Sequence, residues 1–542
     1  MLSSCVAHDG AHGAEGMDDE RRIAPFKARD AENEQLPKKS WRTRMKVFTR
    51  RRMAPGVLFL LCVVSLLFCM EQEKLKWTSV DLGHSMEGSH ESNYSTLNTS
   101  ANQHKTQVIS DSLRRSSPSL GWRSSASLRN SQWPLPPERS NGYVVVRCNG
   151  GLNQQRGAIC NAVLAARIMN ATLVLPELDT NSFWHDKSGF AGIYDVDHFI
   201  ASLANDVKIV KALPLVGKKQ RRLKPFQLRP PRNASPSWYE TVALAKMKQH
   251  GAIHLSPFSH RLAEELENHE YQRLRCRVNF HALRFREDVL GLSSKIVARL
   301  RAEGQYLAIH LRFEMDMLAF AGCVDIFTPA EQAVLIKYRK ENFAEKTLHY
   351  SDRRLIGKCP LTPEEVGLIL RSLGYDNSTR IYLAAGDIFG GERFMGPLRK
   401  LFPRLENRTT VATADELNRI SAEGKGLLGP AVDYMVCLLS DVFMPTYDGP
   451  SNFANNLLGH RLYFGFRTSI RPDRKALAPI FMKMEEGSLE QEEFQEEIRA
   501  VMQSTLVGGP HTRVEPESFY TNPWPECFCK PRAAQKSDQC PG

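Results

Sequence analysis

The sequence predicts an α/β protein in which two α/β units follow a membrane anchor and a stem. Three observations lead to this class. After residue 141 a strand, a glycine turn, a helix and a second strand follow one another, and such a βαβ unit requires a parallel sheet. A second series of buried strands begins at Tyr306. An uncharged apolar run at Val57–Met70 precedes both units.

The N-terminal region has the pattern of a type II signal anchor. Residues 1–52 end in a cluster of lysines and arginines, and residues 53–70 form an apolar stretch near the short end for a bilayer span. A secretory signal peptide would begin its apolar core after a short basic region, and no small-residue cleavage site follows here. A nuclear-localisation signal is the alternative for the basic cluster. The basic flank predicts a cytoplasmic tail at 1–52 and a single-pass anchor at 53–70. A short span suits a Golgi membrane.

Residues 71–140 are rich in Ser, Asn and Arg, lack apolar periodicity, and are predicted to form a disordered stem. The formal charge of +12 is unevenly distributed. On the lumenal side of a membrane we expect no nucleic-acid partner. The side predicted to be lumenal carries N-glycosylation sequons at Asn93, Asn98, Asn170, Asn233, Asn377 and Asn407. Asn170 lies between a helix and a strand and is expected to be poorly accessible.

The first globular unit is predicted to span residues 141–304. Val144–Val146 forms a strand, Gly150 and Gly151 form a turn, and a helix from Gln155 to Met169 leads to a second strand. The glycines allow close approach of a ligand to the backbone, and the helix N-terminus favours an anion. The spacing fits a plain strand-to-helix turn equally well. It does not match the dinucleotide pattern G-x-G-x-x-G.

The second unit is predicted to span residues 305–510, with a cysteine-containing tail at 511–542. Its first strand, Tyr306–Ile309, leads directly into His310, Leu311 and Arg312. A guanidinium at such a strand end suits a diphosphate, because its planar fork of donors can bind two oxygens. The alternative is a surface arginine that pairs with Glu314 or Asp316.

Two later strands also end in polar residues. Ile381–Ala385 leads to Asp387, whose carboxylate can bind a base or ribose. Asp441–Met444 leads to Ser451 and Asn452 at a helix start, where small polar residues form an anion site or act as ordinary caps.

Two further segments allow alternative functions. Asp195 and Asp197 form a D-x-D triplet that can hold a divalent metal on a diphosphate. The alternative is that Asp197 caps the following helix. The basic run 218–232 can meet an acidic acceptor, or can simply be solvated.

Nine of the 12 cysteines lie beyond residue 140, and this odd number predicts at least one free thiol. Cys148 and Cys160 bracket the glycine turn and are candidates for a pair. A second group is expected to join the globular body, namely Cys527, Cys529 and Cys540. A zinc site is the weaker alternative, since no His–Cys spacing supplies four ligands.

Four ordered motifs together resemble the plant O-fucosyltransferase-like family, which is similar to the GDP-fucose protein O-fucosyltransferases. They are GGLNQQR at 150–156, HLRFEMDM at 310–317, AAGDIFGGE at 384–392 and DVFMPTYDGPSNFANNLLGHR at 441–461. The resemblance covers roughly residues 141–475, and the tail at 515–529 is similar to one subgroup.

The resemblance implies a GT-B architecture, with two Rossmann-like domains, and an inverting transfer from GDP-fucose without a metal or other cofactor. Arg312 would bind the β-phosphate and act catalytically, Asn153 would lie near the sugar, and Asp387 would meet the nucleoside. The motifs place donor and substrate contacts at Gly150, Gly151, Leu152, Asn153, His310, Leu311, Arg312, Asp387, Ser451, Asn452 and Phe453. The family's SSF-like element has Asn452 at its centre here, which departs from the pattern.

The sequence leaves the base and the substrates open. Glu177, Asp179 and Asp186 follow the second strand and are the candidate bases. The acceptor is a protein or a cell-wall glycan. A rhamnosyl- or other deoxyhexosyltransferase is the alternative activity, and a non-catalytic Golgi partner of another transferase is the third possibility.

Overall fold

The computed structural model describes residues 123–125, 133–180, 185–343, 348–422, 424, 426–447, 452–465, 468–505, 511, 513 and 517–530. In this described part, no helix is both long and apolar enough to cross a membrane. The predicted anchor, the cytoplasmic tail and most of the stem lie outside these residues. The proposed domain boundaries stay predictions.

Strands and helices alternate along most of the described chain. The strands are β1 (Arg123–Ser124), β2 (Tyr143–Cys148), β3 (Thr172–Val174), β4 (Glu177–Leu178), β5 (Ile209–Val210), β6 (Leu215–Val216), β7 (Arg221–Arg222), β8 (Phe226–Leu228), β9 (Ala252–Leu255), β10 (Leu307–His310), β11 (Ile381–Ala384), β12 (Leu405–Asn407), β13 (Val442–Pro445) and β14 (Phe528–Cys529). The helices in the first half are α1 (Leu152–Ile168), α2 (Phe190–Ile193), α3 (Val196–Leu203), α4 (Pro236–Trp238), α5 (Leu244–His250), α6 (His269–Arg277) and α7 (Glu287–Arg301). The remaining helices are α8 (Met315–Ala321), α9 (Pro329–Asn342), α10 (Tyr350–Leu355), α11 (Pro363–Ser372), α12 (Glu392–Leu401), α13 (Arg408–Val411), α14 (Ala414–Ile420), α15 (Leu428–Leu439), α16 (Asn452–Tyr463), α17 (Arg474–Glu485) and α18 (Gln491–Thr505). Single π-helical turns at Tyr239–Ala243 and Val278–Ala282 follow α4 and α6.

The first sheet has the strand order β5-β3-β2-β9-β8, with β4 beside the end of β2, and its pairs are parallel. Helix α1 connects β2 to β3, as a parallel pair requires. The helix begins at Leu152, three residues before the predicted start. The sequence prediction of an α/β unit with a parallel sheet is confirmed here.

The second sheet has the order β12-β11-β10-β13 and is also parallel. Helix α11 supplies part of the crossover from β10 to β11, and a capping box is present at its start. Thr362 accepts from the backbone of Glu365, and the Glu365 carboxylate accepts from the Thr362 amide at 2.8 Å.

The two faces of β10 belong to different apolar cores. Leu307 and Ile309 pack in the core on one side of the second sheet, whereas Tyr306 and Ala308 join a core that continues to the first sheet. This division follows from the alternation of side chains along a strand. Helices α7 and α15 contribute to the shared core. One continuous body of buried residues therefore connects the two sheets.

Within the described part of the chain, two disulfides join distant segments, namely Cys276–Cys527 and Cys323–Cys359. The first confirms that Cys527 of the C-terminal group joins the body, and β14 of the tail pairs with β1. The expected Cys148–Cys160 pair is wrong, because both are free, buried thiols. They lie on a strand and a helix that pack as apolar layers, where a thiol behaves as a small hydrophobic group. Burial raises the pKa of Cys160 to about 11.

Candidate active site

The glycine turn connects β2 to α1 at the carboxyl end of the first sheet. Gly150 has a φ of +94°, and a Cβ there would lie 2.2 Å from Oε1 of Gln154. The same Oε1 accepts from the Gly151 amide at 2.9 Å. Gly151 occupies the N-cap position and brings no side chain to the helix N-terminus. The two glycines thus let the Gln154 side chain fold back against the turn, where it already accepts from the Gly151 amide.

Two buried side chains behind the turn present unused acceptors. Asn153 is 5% exposed and Gln155 is fully buried. No described group donates to Oδ1 of Asn153 or to Oε1 of Gln155. A buried acceptor without a partner costs about 1–3 kcal/mol, so each of these oxygens would be stabilised by a donor such as a water molecule or a ligand hydroxyl. The sequence analysis did not predict Gln155 as a site residue, because a glutamine within a helix gives no indication that it will be buried at the turn.

Arg312 lies directly after β10 and is largely enclosed, with a side chain that is 19% exposed. Its Nη1 donates to Glu314 at 2.7 Å and to Asp316 at 3.0 Å, and its Nη2 donates to Asp316 at 2.7 Å. Burial opposes the charge, but the two carboxylates raise the pKa of Arg312 above its ordinary value. The ion pair named as the alternative is present, but it involves an enclosed arginine rather than a surface one.

Hydrogen bonds around Arg312 connect the carboxyl ends of β10, β11 and β13. Its amide donates to Oγ1 of Thr446, after β13, at 3.0 Å. Oε1 of Glu314 accepts from the amide of Gly386, after β11, at 3.0 Å. Asp387, the predicted nucleoside contact, is exposed next to that amide. Arg312 and Asp387, the predicted sugar-nucleotide contacts that follow β10 and β11, therefore lie on neighbouring strand ends.

His310 and Leu311 differ in their surroundings. His310 is buried, and its Nδ1 donates to the carbonyl of Ala384 at 3.1 Å. Burial holds the pKa of His310 at about 4, so the ring is neutral near neutral pH. The Leu311 side chain is fully buried in the second core, so its side chain serves packing.

The predicted phosphate element at 451–453 is only partly described. Ser451 lies outside the described residues, and Asn452 begins α16. The ring of Phe453 lies 4.4 Å from that of His310 and 5.7 Å from that of Tyr434. The guanidinium of Arg156, on α1, lies 5.7 Å from the same Tyr434 ring. This series of contacts links the helix behind the glycine turn to the end of β10.

The three candidate bases occupy different environments. Glu177 lies on β4, with Oε2 at 3.6 Å from Nε of Arg147 and 3.8 Å from Nε2 of His254. Asp179 is half-buried and its amide donates to the Cys148 carbonyl at 2.9 Å. Glu177 is the most exposed of the three candidates, and β4 places it beside the end of β2, opposite Arg147.

Asp186 is a poor candidate base. Its side chain is buried, and it accepts from the amides of Ser188 and Leu427, both at 2.9 Å. These bonds hold the segment near residue 427 against the loop that contains Asp186. We assign the carboxylate a structural role, which the sequence did not reveal because Leu427 is distant along the chain.

The D-x-D triplet is engaged in other contacts. Asp195, not Asp197, is the N-cap of α3, and it accepts from the His198 amide at 2.9 Å. The hydrogen bond from Arg284 and that cap hold the pKa of Asp195 below its ordinary value. Asp197 pairs with Lys211 at the surface. Among the described residues, no group of three His, Cys, Asp or Glu is arranged to hold a metal.

The basic run 218–232 is divided by β8. Because β8 is parallel to β9, residues before it lie at the amino edge of the sheet and residues after it lie at the carboxyl edge. The exposed hairpin β6–β7 is thus on the side opposite the glycine turn.

Arg229 follows β8, beside Arg261, whose Nη1 donates to the Pro230 carbonyl at 3.1 Å. Burial and the charges of Arg229 and Arg232 lower the pKa of Arg261.

The described sequons differ in accessibility. Asn233 and Asn377 are exposed, whereas Asn170 is half-buried and donates from Nδ2 to the Arg139 carbonyl at 3.2 Å. Oδ1 of Asn407 caps α13 by accepting from the amides of Thr409 and Thr410. Asn93 and Asn98 lie outside the described residues.

Two parallel sheets, with a glycine turn and an enclosed arginine after their strands, define an α/β protein with a candidate site at its strand ends. The model of the family "GDP-fucose protein O-fucosyltransferase" matches residues 143–464, and the chain belongs to this family. O-fucosyltransferase 1 of Arabidopsis thaliana is 61% identical over 493 residues, covering 90% of this chain and 89% of the relative. The protein is therefore a glycosyltransferase.

Other relatives carry a different name. Rhamnogalacturonan I rhamnosyltransferase 1 of Arabidopsis thaliana is 41% identical, covering 73% of this chain and 79% of the relative. Among solved structures, the crystal structure of POFUT1 with GDP matches 61% of this chain and 99% of its own, with 14% identity and a TM-score of 0.38. NodZ α-1,6-fucosyltransferase soaked with GDP-fucose matches 62% and 96%, with 10% identity and a TM-score of 0.32. At this distance the two structures bear on no residue of the site.

Proposed function

We propose that the protein transfers fucose from GDP-fucose to a hydroxyl group of a protein or cell-wall glycan, with inversion at the anomeric carbon. The two sheets would face a common donor cleft in a GT-B arrangement. One observation carries the proposal, namely the enclosed guanidinium of Arg312 at the end of β10. The family and the fucosyltransferase names of its relatives support fucose as the sugar.

In this proposal Arg312 acts on the leaving group. The bond between the anomeric carbon and the β-phosphate oxygen breaks, and GDP departs with increased negative charge. A guanidinium that is already in place stabilises that charge by several kcal/mol. Asp387 binds the nucleoside. The cationic role falls to Arg312, so the activity is expected to survive EDTA; full loss with rescue by Mn²⁺ would instead favour Asp195 and Asp197.

The acceptor hydroxyl attacks from the opposite face of the sugar, and its proton moves to a carboxylate. Glu177 is the proposed base, because it is the accessible candidate beside the end of β2. Oδ1 of Asn153 supplies an acceptor that can orient the incoming hydroxyl. Inversion follows from a single displacement in which the new bond forms as the old one breaks.

Rhamnosyl transfer is the second candidate, supported by the relatives named rhamnosyltransferases. The positive charges of Arg229 and Arg261 beside the glycine turn favour an acceptor that carries carboxylates. No described acidic side chain pairs with either arginine. For both candidates we propose a Golgi membrane location, with a single-pass type II anchor and a lumenal catalytic region.

Calorimetry and donor hydrolysis with a panel of sugar nucleotides test the proposal. We expect GDP-fucose to bind and to be hydrolysed slowly in the absence of acceptor. Binding and hydrolysis of UDP-rhamnose, without GDP-fucose, would establish the second candidate. Absence of binding and hydrolysis across the panel would contradict both candidates.

A further inference from the structure

The carboxylate of Glu314 bridges two neighbouring strand ends. Oε2 accepts from Nη1 of Arg312 at 2.7 Å, and Oε1 accepts from the amide of Gly386 at 3.0 Å. Strands β10 and β11 are adjacent and parallel, with His310 opposite Ala384. A single side chain thus links the proposed diphosphate arginine to the turn that carries the proposed nucleoside contact.

Asp316 touches the same arginine in a different way. Its two oxygens accept from Nη1 and Nη2 of Arg312, at 3.0 and 2.7 Å. Its side chain is 46% exposed, against 18% for Glu314. Asp316 can therefore regain water when it leaves the guanidinium, whereas the less exposed Glu314 would lose its contacts with both the guanidinium and the Gly386 amide.

Gly386 has no side chain, which leaves room for Glu314 to approach its backbone. A Cβ at this position would lie 3.1 Å from Oε1 and 3.2 Å from Cγ of Glu314. At these distances the Glu314 side chain must shift by a few tenths of an ångström. Substitution of the glycine therefore perturbs the bridge without removing the charge.

We propose that Glu314 is a positioning residue that fixes Arg312 relative to the Gly386–Asp387 turn. Asp316, in contrast, is an exchangeable partner that releases the guanidinium when the donor diphosphate binds. An anion approaching Arg312 needs donors that point outward, and Asp316 occupies two of them. The inference rests on the proposed donor role of Arg312.

Calorimetry with GDP and GMP separates the two carboxylates, because GMP lacks the β-phosphate. Glu314→Gln should weaken both ligands about tenfold, since it disturbs both the arginine and the turn. Gly386→Ala should reproduce that pattern. Asp316→Asn, the matched control at the same guanidinium, should tighten GDP several-fold and leave GMP unchanged.

Thermal melting of each variant provides the folding control, and Gly386→Ala carries the test if Glu314→Gln does not fold. Normal GDP and GMP affinity in a folded Glu314→Gln or Gly386→Ala variant would overturn the positioning role. Equal weakening of GDP by Asp316→Asn would overturn the exchange. Arg312→Lys separates this inference from the proposed function: if it binds GDP as the wild type does, the donor site itself is wrong.

Discussion

The ring of His310 lies 4.4 Å from that of Phe453, and through this contact the end of β10 meets the start of α16. Both residues belong to motifs that are far apart in the sequence, and the structure brings them together beside Arg312. Burial lowers the pKa of His310, so the neutral imidazole is favoured in the folded protein.

This burial predicts a dependence of stability on pH. The pKa of His310 is about 4 in the folded chain and 6.5 for an ordinary histidine. Since the unfolded chain takes up the proton first, the contribution of His310 to the free energy of unfolding is complete above about pH 6.5 and is lost as the pH falls toward 4. His310→Asn should reduce the fall in melting temperature between about pH 7 and pH 5. An unchanged pH dependence, with exposed His269→Asn as control, would contradict the assignment.

Glu177→Gln tests the proposed base. The amide cannot accept the acceptor proton, so kcat should fall about a hundredfold or more. GDP affinity measured by calorimetry should stay normal, because Glu177 belongs to the first sheet and not to the donor strands. The surface variant Asp197→Asn is the control. Retention of most of the turnover by Glu177→Gln would move the role to Asp179.

The two disulfides allow a comparison of stability. Cys276–Cys527 spans 251 residues and Cys323–Cys359 spans 36. If a disulfide stabilises by reducing the entropy of the unfolded chain, removing the longer-range bond should lower the free energy of unfolding by about 1.7 kcal/mol more than removing the shorter-range bond. The Cys276→Ser, Cys527→Ser double variant should therefore show the lower denaturant midpoint. The reverse order would contradict the docked position of the C-terminal tail.

Topology is testable in sealed microsomes. The basic flank before Val57 predicts a lumenal C-terminus, so a C-terminal tag should resist added protease until detergent is present. Digestion of the tag in intact microsomes would refute the type II orientation.

The sequence predicted the strand ends well, because buried strands such as Tyr306–Ile309 appear as short apolar runs that stop at polar residues. It was less informative wherever a distant residue decides the role of a side chain. Arg284 and the His198 amide make Asp195 the cap, and the Leu427 amide commits Asp186 to structure. The Cys148 and Cys160 thiols are apolar packing groups on separate elements, and their proximity in sequence suggested a bond that does not form.

The bridge through Glu314 shows a second limit. The motif HLRFEMDM contains both acids, and each was named only as a possible ion-pair partner of Arg312. The contact from Glu314 to Gly386 depends on the pairing of β10 with β11, which the sequence does not specify. The burial of Gln155 likewise depends on packing around the glycine turn.

The central claim is that Arg312 binds the leaving diphosphate, and turnover of Arg312→Lys tests it most directly. Lysine keeps the charge but is a point donor, and it cannot bridge two phosphate oxygens as a guanidinium does. We expect kcat to fall about a hundredfold, which corresponds to about 3 kcal/mol of lost transition-state stabilisation, with a near-normal melting temperature. His310→Ala should be milder. Near-normal turnover in a folded Arg312→Lys variant would show that Arg312 is only an ion-pair partner of Glu314 and Asp316, and that the donor site lies elsewhere.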